Sequence, residues 1–222
     1  MSEPFLHPDA LIFDMDGTLL DTEPLYSVAA QRVLDEFDAI YTPELKRRTM
    51  GGDSRVSAQI VIDEFDLPMS PEEYLERREV HLTELFAGCP EIPGAGNFLE
   101  RAGAAGLRMG LATSSHRHLR DLKLAGRGWD AHFAATVCGD HPELQRGKPA
   151  PDIFLLCARE MNVAPDRCIA FEDSRNGVAA AVAAGMQTVA ITSEFADADD
   201  LSEAHIIIDS YADALPWIDR WS

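Results

Sequence analysis

The stretch LIFDMDGTLLDTEPLY, Leu11 to Tyr26, places an apolar run directly before two aspartates and a glycine. The run is apolar at every position from Ala10 to Phe13, which is typical of a parallel strand covered on both faces. Asp14 and Asp16 follow this run, and Gly17 allows a turn. Carboxylates at the end of a buried strand are unfavourable unless a partner compensates their charge. The stretch therefore predicts a polar site at the end of the first strand.

Further short apolar runs alternate with helical stretches along the rest of the chain. The predicted strands are Ala10–Phe13, Arg108–Ala112, Ala135–Cys138, Cys168–Phe171, Thr188–Ile191 and Ile206–Ile208. The predicted helices between them are Gly94–Ala105, Leu119–Leu124, Pro151–Met161 and Gly177–Ala184. This alternation predicts an α/β fold with a doubly wound, mostly parallel, Rossmann-like sheet.

The interval between residues 23 and 89 breaks the alternation, because it contains helical patterns and no convincing strand. One predicted helical face is formed by Leu25, Val28, Ala29, Val33 and Phe37. A capping box, Ser-Pro-Glu-Glu, begins at Ser70 and opens a further helix through about Leu85. We expect residues 1–22 and 90–222 to form an α/β catalytic core, and residues 23–89 to form an inserted all-helical cap domain over the carboxyl edge of the sheet.

Length, charge and cysteine content restrict the class of protein. The chain has 222 residues and a formal net charge of −19, which disfavours nucleic acid and anionic membranes as partners. An anionic substrate would need cations at its binding site. The four cysteines form no C-x-x-C pair, so we expect reduced, isolated thiols. Neither a signal peptide nor a transmembrane run is evident, and we expect a cytoplasmic monomer.

Polar side chains follow several predicted strands, at the edge where open parallel sheets bind ligands. They are Asp14 and Asp16, then Thr113, Ser114 and Ser115, then Lys148 before a helix, then Glu172 and Asp173. Carboxylates in one crevice raise each other's pKa, and a hard divalent cation such as Mg²⁺ removes the repulsion. A threonine hydroxyl and a lysine suit a phosphate group. The sequence therefore predicts a magnesium and phosphate site.

The two closely spaced aspartates suit phosphoryl transfer. One carboxylate can attack phosphorus and form an aspartyl-phosphate. A second carboxyl can protonate the leaving oxygen and then activate water for the second step. Phosphoryl transfer depends on positioning and on charge neutralisation, and this set of residues offers both.

Four motifs in the chain resemble those of the haloacid dehalogenase superfamily, in order and over nearly the whole length. They read Asp14-Met15-Asp16-Gly17-Thr18, GLATSS with Thr113, GKPAPD with Lys148, and AFEDS with Glu172 and Asp173. The position of the insert resembles the β-phosphoglucomutase-like and phosphoglycolate phosphatase-like branch, in which the insert is a mobile cap. Three stretches look like the pseudouridine-5'-phosphatase group and the related glycerol-3-phosphatases: LDTEPLYSVAAQRVLDEFDAIYTPELKRRTMG, LPMSPEE and GDHPELQRGKPAPDIFL.

The resemblance implies a role for each motif residue. Asp14 would be the nucleophile and a metal ligand, and Asp16 would be the acid/base and bind metal through its carbonyl oxygen. Thr113 and Lys148 would hold the phosphoryl group. Asp173 would ligate Mg²⁺, with Glu172 beside it, directly or through water.

Four further residues are candidates for substrate contacts, each with an ordinary alternative. Ser114 could donate to the phosphate or shape its loop. Glu23 could face the substrate from the hinge into the cap, or it could favour the next helix N-terminus. Arg55, in a predicted specificity loop around Gly51–Arg55, could reach the substrate or could be a solvated arginine. His116 could line the crevice or lie on the surface.

The leading hypothesis is a Mg²⁺-dependent phosphatase that acts on a small phosphorylated metabolite, such as a sugar, polyol or nucleoside monophosphate. A phosphosugar mutase is the alternative, although Tyr26 stands where the mutase branch usually carries a histidine. A receiver-like phosphoacceptor module fits less well, because its acceptor aspartate follows the third strand. Haloacid dehalogenation would need neither a metal nor a second acid such as Asp16.

Overall fold

The structure, a computed structural model, describes residues 7–49, 54–193, 196 and 198–221. Its strands are β1 (Ala10–Phe13), β2 (Met109–Ala112), β3 (Phe133–Val137), β4 (Cys168–Glu172), β5 (Gln187–Ile191) and β6 (Ile206–Ile208). Its helices are α1 (Glu23–Leu34), α2 (Pro43–Thr49), α3 (Ser54–Phe65), α4 (Pro71–Phe86), α5 (Ala95–Ala104), α6 (Arg117–Leu124), α7 (Asp152–Glu160), α8 (Arg175–Ala183) and α9 (Tyr211–Trp221). Within these described ranges, no helix is both long and apolar enough to span a bilayer.

The strands form one sheet in the order β3-β2-β1-β4-β5-β6, and each strand pairing found in the described residues is parallel. The strand order reverses between β1 and β4, so the crossover helices cover both faces. The carboxyl ends of β1 and β4 therefore lie at a topological switch point, where open α/β sheets bind ligands. This arrangement confirms the predicted doubly wound α/β class.

In the sheet unit, α6 and α8 each begin two residues before their predicted starts, and one strand and one further helix also differ from the sequence prediction. The strand predicted at Ala135–Cys138 begins two residues earlier, at Phe133, and ends at Val137. This strand lies at the edge of the sheet, and its residues alternate in exposure. A search for continuously apolar runs therefore does not locate its first residue. The helix α9 was not predicted, and it contains Pro216, a residue that usually interrupts helices. Packing of its buried face outweighs that local preference.

The chain divides into two compact units. One comprises Met1–Asp21 and Pro90–Ser222, and the other comprises Thr22–Cys89. The chain enters and leaves the second unit at adjacent points, because the Asp21 amide donates to the Pro90 carbonyl oxygen at 2.9 Å. The helical unit corresponds in position along the chain to the predicted cap, and its role as a cap stays a prediction.

The helical unit contains α1 to α4 around its own apolar core. The Ser70 hydroxyl accepts a hydrogen bond from the Glu73 amide at 3.2 Å, which confirms the predicted N-cap of α4. The predicted apolar face of α1 is wrong at Val28, which is 42% exposed. The core contains Val33, Leu34, Leu45, Ala58, Val61, Ile62, Leu67 and Tyr74. The buried side of α1 is formed by Ala29, Ala30, Val33 and Leu34, and α1 packs against α4.

An aromatic cluster packs against one face of the sheet, directly beneath the predicted site. Phe13 is the last residue of β1, and Phe171 lies in β4. Their rings stack with 4.9 Å between the ring centroids. Phe98 from α5 and Tyr211 from α9 complete the cluster. The four cysteine thiols form no disulfide and are buried, as expected for small apolar residues. This packing fixes the strand ends that carry the acidic residues.

Tyr211 also supports the loop after β1 with a hydrogen bond. Its side chain is fully buried, and its hydroxyl donates to the Thr18 carbonyl oxygen at 3.1 Å. Tyr211→Phe leaves that carbonyl without its donor, so we expect the free energy of unfolding to fall by about 1–2 kcal/mol in urea denaturation. Tyr74→Phe is the matched control, because the buried Tyr74 hydroxyl has no hydrogen-bond partner among the described residues. Equal destabilisation by both variants would contradict this role of Tyr211.

Candidate active site

Lys148 and Asp14 form the centre of the site. Asp14 directly follows β1 and is 6% exposed. The Lys148 ammonium donates to Asp14 Oδ1, to Glu172 Oε1 at 2.6 Å and to the Ala112 carbonyl oxygen at 3.1 Å. The ends of β1, β2 and β4 and the loop before α7 therefore meet at one point, as the sequence predicted.

Burial and charge shape the protonation of this pair. Burial raises the pKa of Asp14 to about 7, against the opposing effect of the Lys148 ammonium, and the Glu172 and Asp16 carboxylates add to the rise. Burial lowers the pKa of Lys148, but the Asp14 and Glu172 carboxylates outweigh it and raise that pKa above its ordinary value. Lys148 is thus a fixed cation inside a crowded group of carboxylates.

Three carboxylates could hold a metal ion together. Oxygens of Asp14, Glu172 and Asp173 lie within 4.8 Å of one another. Burial raises the pKa of Asp173 well above its ordinary value, and the Glu172 and Asp14 carboxylates add to the rise. A divalent cation would compensate this repulsion, and an oxygen donor set of this kind suits Mg²⁺. The residues present therefore fit the predicted ion.

Gly17 and Thr18 fix the position of Asp173. Gly17 has a φ of +83°, and a Cβ there would lie 2.0 Å from Asp173 Oδ2. The Thr18 hydroxyl donates to Asp173 Oδ1 at 3.0 Å. A glycine is required because the backbone adopts a left-handed conformation and closely approaches the carboxylate.

Glu172 is held by the N-terminus of α8. Its Oε2 accepts hydrogen bonds from the Asp173 amide at 3.1 Å, and from the Ser174 amide at 3.3 Å and hydroxyl at 3.1 Å. Its other oxygen accepts from Lys148. A Cβ at Gly177 would lie 1.9 Å from the Glu172 carboxyl carbon. Glu172 therefore orients Lys148 in addition to belonging to the acidic group.

The Asp16 side chain points to a different set of partners. Its Oδ1 accepts from Lys123 Nζ at 2.6 Å, and its Oδ2 accepts from the Ser115 hydroxyl at 2.8 Å. Asp16 was predicted to bind metal only through its carbonyl oxygen, and that contact stays a prediction. The contact between Lys123 and Asp16 was not predicted from sequence. Lys123 lies in the predicted helix at Leu119–Leu124 and belongs to none of the four motifs.

The loop after β2 places the predicted phosphate ligands. Thr113 is fully buried, and its hydroxyl accepts from the Ser115 amide at 3.1 Å. Ser114 is exposed, and its backbone lies so close to Gly139 that a Cβ there would lie 2.1 Å from the Ser114 carbonyl oxygen. A phosphate contact by either hydroxyl stays a prediction.

The predicted substrate contacts lie in different surroundings. His116 is exposed at the N-terminus of α6. Glu23 lines a cavity of about 250 Å³ inside the helical unit, with Tyr26, Lys46, Tyr74, Arg78 and other polar side chains. Arg55 is largely exposed and pairs with Glu72 at 2.9 Å. The residues at 51–53 of the predicted specificity loop lie outside the described residues.

Sequence comparison identifies relatives over most of the chain. A family model described as haloacid dehalogenase-like hydrolase matches residues 11–191. A Drosophila melanogaster protein named "Probable pseudouridine-5'-phosphatase" is 39% identical over 92% of this chain and 90% of its own length. A Thermotoga maritima protein named "Phosphorylated carbohydrates phosphatase" is 35% identical over 82% of this chain and 83% of its own length.

Structural comparison agrees with these matches. A crystal structure from Thermotoga maritima, named "putative beta-phosphoglucomutase", superposes with a TM-score of 0.83 and 32% identity, and covers 95% of this chain and 98% of its own. The predicted enzyme class, a phosphoric monoester hydrolase of the haloacid dehalogenase type, is confirmed at the level of the family. The chain belongs to the haloacid dehalogenase-like hydrolases.

Proposed function

We propose that the protein is a Mg²⁺-dependent phosphatase that hydrolyses a small phosphorylated metabolite through an aspartyl-phosphate on Asp14. One observation carries this proposal: the buried Asp14 carboxylate contacts the Lys148 ammonium and lies within a group of carboxylates that suits a divalent cation. The opposing charges would bind a phosphate and its counter-ion beside a nucleophile. This local charge also accounts for binding an anion to a chain with a net charge of −19.

The residues divide the proposed reaction into two steps. In the first, an Asp14 oxygen attacks phosphorus, the bond from phosphorus to the alcohol oxygen breaks, and Asp16 gives that oxygen a proton. In the second, water attacks phosphorus, its proton passes to Asp16, and the bond to Asp14 breaks. Phosphate and the alcohol are the products, and both aspartates return to their starting states.

The binding residues would neutralise charge during both steps. Lys148, with Thr113 and Ser114, would hold the phosphoryl oxygens. Mg²⁺, held by Asp14, Asp173 and the Asp16 carbonyl oxygen, with Glu172 directly or through water, would offset negative charge on the phosphoryl group.

The proposed substrate is a sugar, polyol or nucleoside monophosphate. The names of the two curated relatives support a phosphatase of this kind, and Glu23, Arg55 and His116 remain proposed substrate contacts. A phosphosugar mutase is the second candidate, since the structural neighbour is named a putative beta-phosphoglucomutase. The mutase branch usually carries a histidine at the position of Tyr26. The tyrosine therefore disfavours mutase activity.

The direct test is phosphate release from a panel of phosphorylated metabolites. With Mg²⁺, we expect release from at least one of pseudouridine 5'-phosphate, glycerol phosphates and sugar phosphates. Chelation with EDTA should abolish phosphate release, because the carboxylates of Asp14, Glu172 and Asp173 would lose the cation that compensates their charge. Added Mg²⁺ should restore phosphate release. Interconversion of glucose phosphates without phosphate release would instead establish the mutase.

A further inference from the structure

We propose that Lys123, together with Ser115, is a positioning residue for Asp16, and that it holds this carboxylate in the orientation in which it receives the proton of the attacking water. The proposal rests on the proposed function, because it assigns a partner to the acid/base of that reaction. Lys123 belongs to none of the four motifs that the sequence analysis identified, whereas Ser115 is the last residue of GLATSS, where it was assigned no role.

The three side chains form a closed triangle of hydrogen bonds. Lys123 Nζ lies 2.6 Å from Asp16 Oδ1 and 2.9 Å from the Ser115 hydroxyl oxygen, which lies 2.8 Å from Asp16 Oδ2. Each Asp16 oxygen therefore has its own donor, and the carboxylate is fixed in one rotation about its Cβ–Cγ bond. A carboxylate held at both oxygens has a defined direction for proton transfer.

The burial of Lys123 indicates a specific role for its charge. Its side chain is fully buried, whereas the Asp16 side chain is 24% exposed. A buried ammonium is strongly unfavourable without an anionic partner, and an aliphatic residue at this helix position would avoid that penalty. Lysine donates hydrogen bonds and accepts none, so its ammonium holds two acceptors of the triangle, Asp16 Oδ1 and the Ser115 hydroxyl oxygen, in fixed positions.

The same loop connects this triangle to the phosphate side of the site. The Ser115 amide donates to the Thr113 hydroxyl at 3.1 Å, and α6 begins two residues later at Arg117. The loop thus sets the distance between the proposed phosphate ligand and the base. Lys123 is the penultimate residue of that helix, and its ammonium contacts Asp16 and, in the loop, Ser115.

The water step gives this positioning role a kinetic signature. Departure of p-nitrophenolate needs no proton, so transfer of the phosphoryl group from p-nitrophenyl phosphate to Asp14 does not require Asp16 as an acid. Release of the phosphoryl group from Asp14 still requires Asp16 as a base. Loss of Lys123 should therefore slow the second step selectively, and the phosphorylated enzyme should accumulate.

The test is rapid mixing of p-nitrophenyl phosphate and Mg²⁺ with Lys123→Met. We expect a burst of about one equivalent of p-nitrophenol per enzyme, followed by turnover roughly 10- to 100-fold slower than in the wild type. Acid quenching should trap phosphate on Asp14. Ser115→Ala, which changes volume little, should show the same burst with a smaller slowing. Asp16→Asn/Lys123→Met should be no slower than Asp16→Asn alone.

Arg120→Met is the matched control, because it removes a buried cation from the same helix. Arg120 pairs with Asp121 and Asp130, away from Asp16, so this variant should show no burst. Slowing of Lys123→Met and Ser115→Ala without a burst, or unchanged turnover in both, would overturn the positioning role while leaving the phosphatase intact. Absence of any phosphorylated enzyme and of phosphate release in the wild type would instead contradict the proposed function.

Discussion

Replacing Asp14 with asparagine should abolish phosphate release, with kcat lowered by about 10⁴-fold or more, as for removal of a covalent nucleophile. The amide oxygen is a weak nucleophile, and an amide cannot form the aspartyl-phosphate. Lys148 keeps Glu172 and the Ala112 carbonyl oxygen as partners, so the cation remains paired in the variant. Steady-state phosphate release from the best substrate of the panel measures the effect.

The control for this variant is Asp9→Asn in the same unit. Asp9 is exposed and pairs with Arg167 at 3.1 Å, away from the carboxylate group. We expect this variant to retain wild-type activity. Circular dichroism should show native structure for both proteins. Full activity of Asp14→Asn would exclude Asp14 as the nucleophile, whatever the substrate proves to be.

Gly17→Ala should lower kcat/KM by more than about 10²-fold, because it displaces Asp173. The new Cβ would lie 2.0 Å from Asp173 Oδ2, and ordinary contacts begin near 3.4 Å, so the carboxylate must move. A misplacement of about 1 Å in an active site can reduce the rate by 10²-fold. The Mg²⁺ concentration that gives half-maximal activity should also rise, which steady-state titration measures.

Gly126→Ala separates this displacement from backbone strain. Gly126 has a φ of +77°, close to that of Gly17, and nothing lies within 4 Å of its added Cβ. Both variants should lose about 1 kcal/mol of unfolding free energy from the left-handed conformation. Activity should fall in Gly17→Ala alone. A similar loss of activity in both would show that strain, and not the position of Asp173, is responsible.

Much of the site could be predicted from sequence, because the fold converts local patterns into long-range proximity. The apolar run before Asp14 and the one before Glu172 each predict a buried parallel strand. The carboxyl ends of parallel strands lie at the same edge of the sheet. Asp14 and Glu172, 158 positions apart, are therefore brought together although no local sequence pattern links them. The four motifs therefore predicted the meeting of Asp14, Lys148, Glu172 and Asp173.

The remaining features depend on packing that no local pattern encodes. Lys123 lies 107 positions from Asp16, and a lysine in a short helix usually indicates a solvated face. The helix α9 forms despite Pro216, because the burial of Tyr211 and two tryptophans outweighs the local penalty. The exposure of Val28 depends on which side of α1 packs against α4, and periodicity alone does not fix that side.

The hydrogen bond between the Asp21 amide and the Pro90 carbonyl has a consequence for the architecture of the chain. The two points at which the insertion begins and ends are joined by this hydrogen bond. The two segments of the sheet unit therefore stay connected there, whatever the length of the insertion. Loop-closure entropy rises only slowly with insert length, and a longer or shorter insertion would change it little. This junction therefore allows the sheet unit to carry helical insertions of different sizes without changing the residues of the proposed active site.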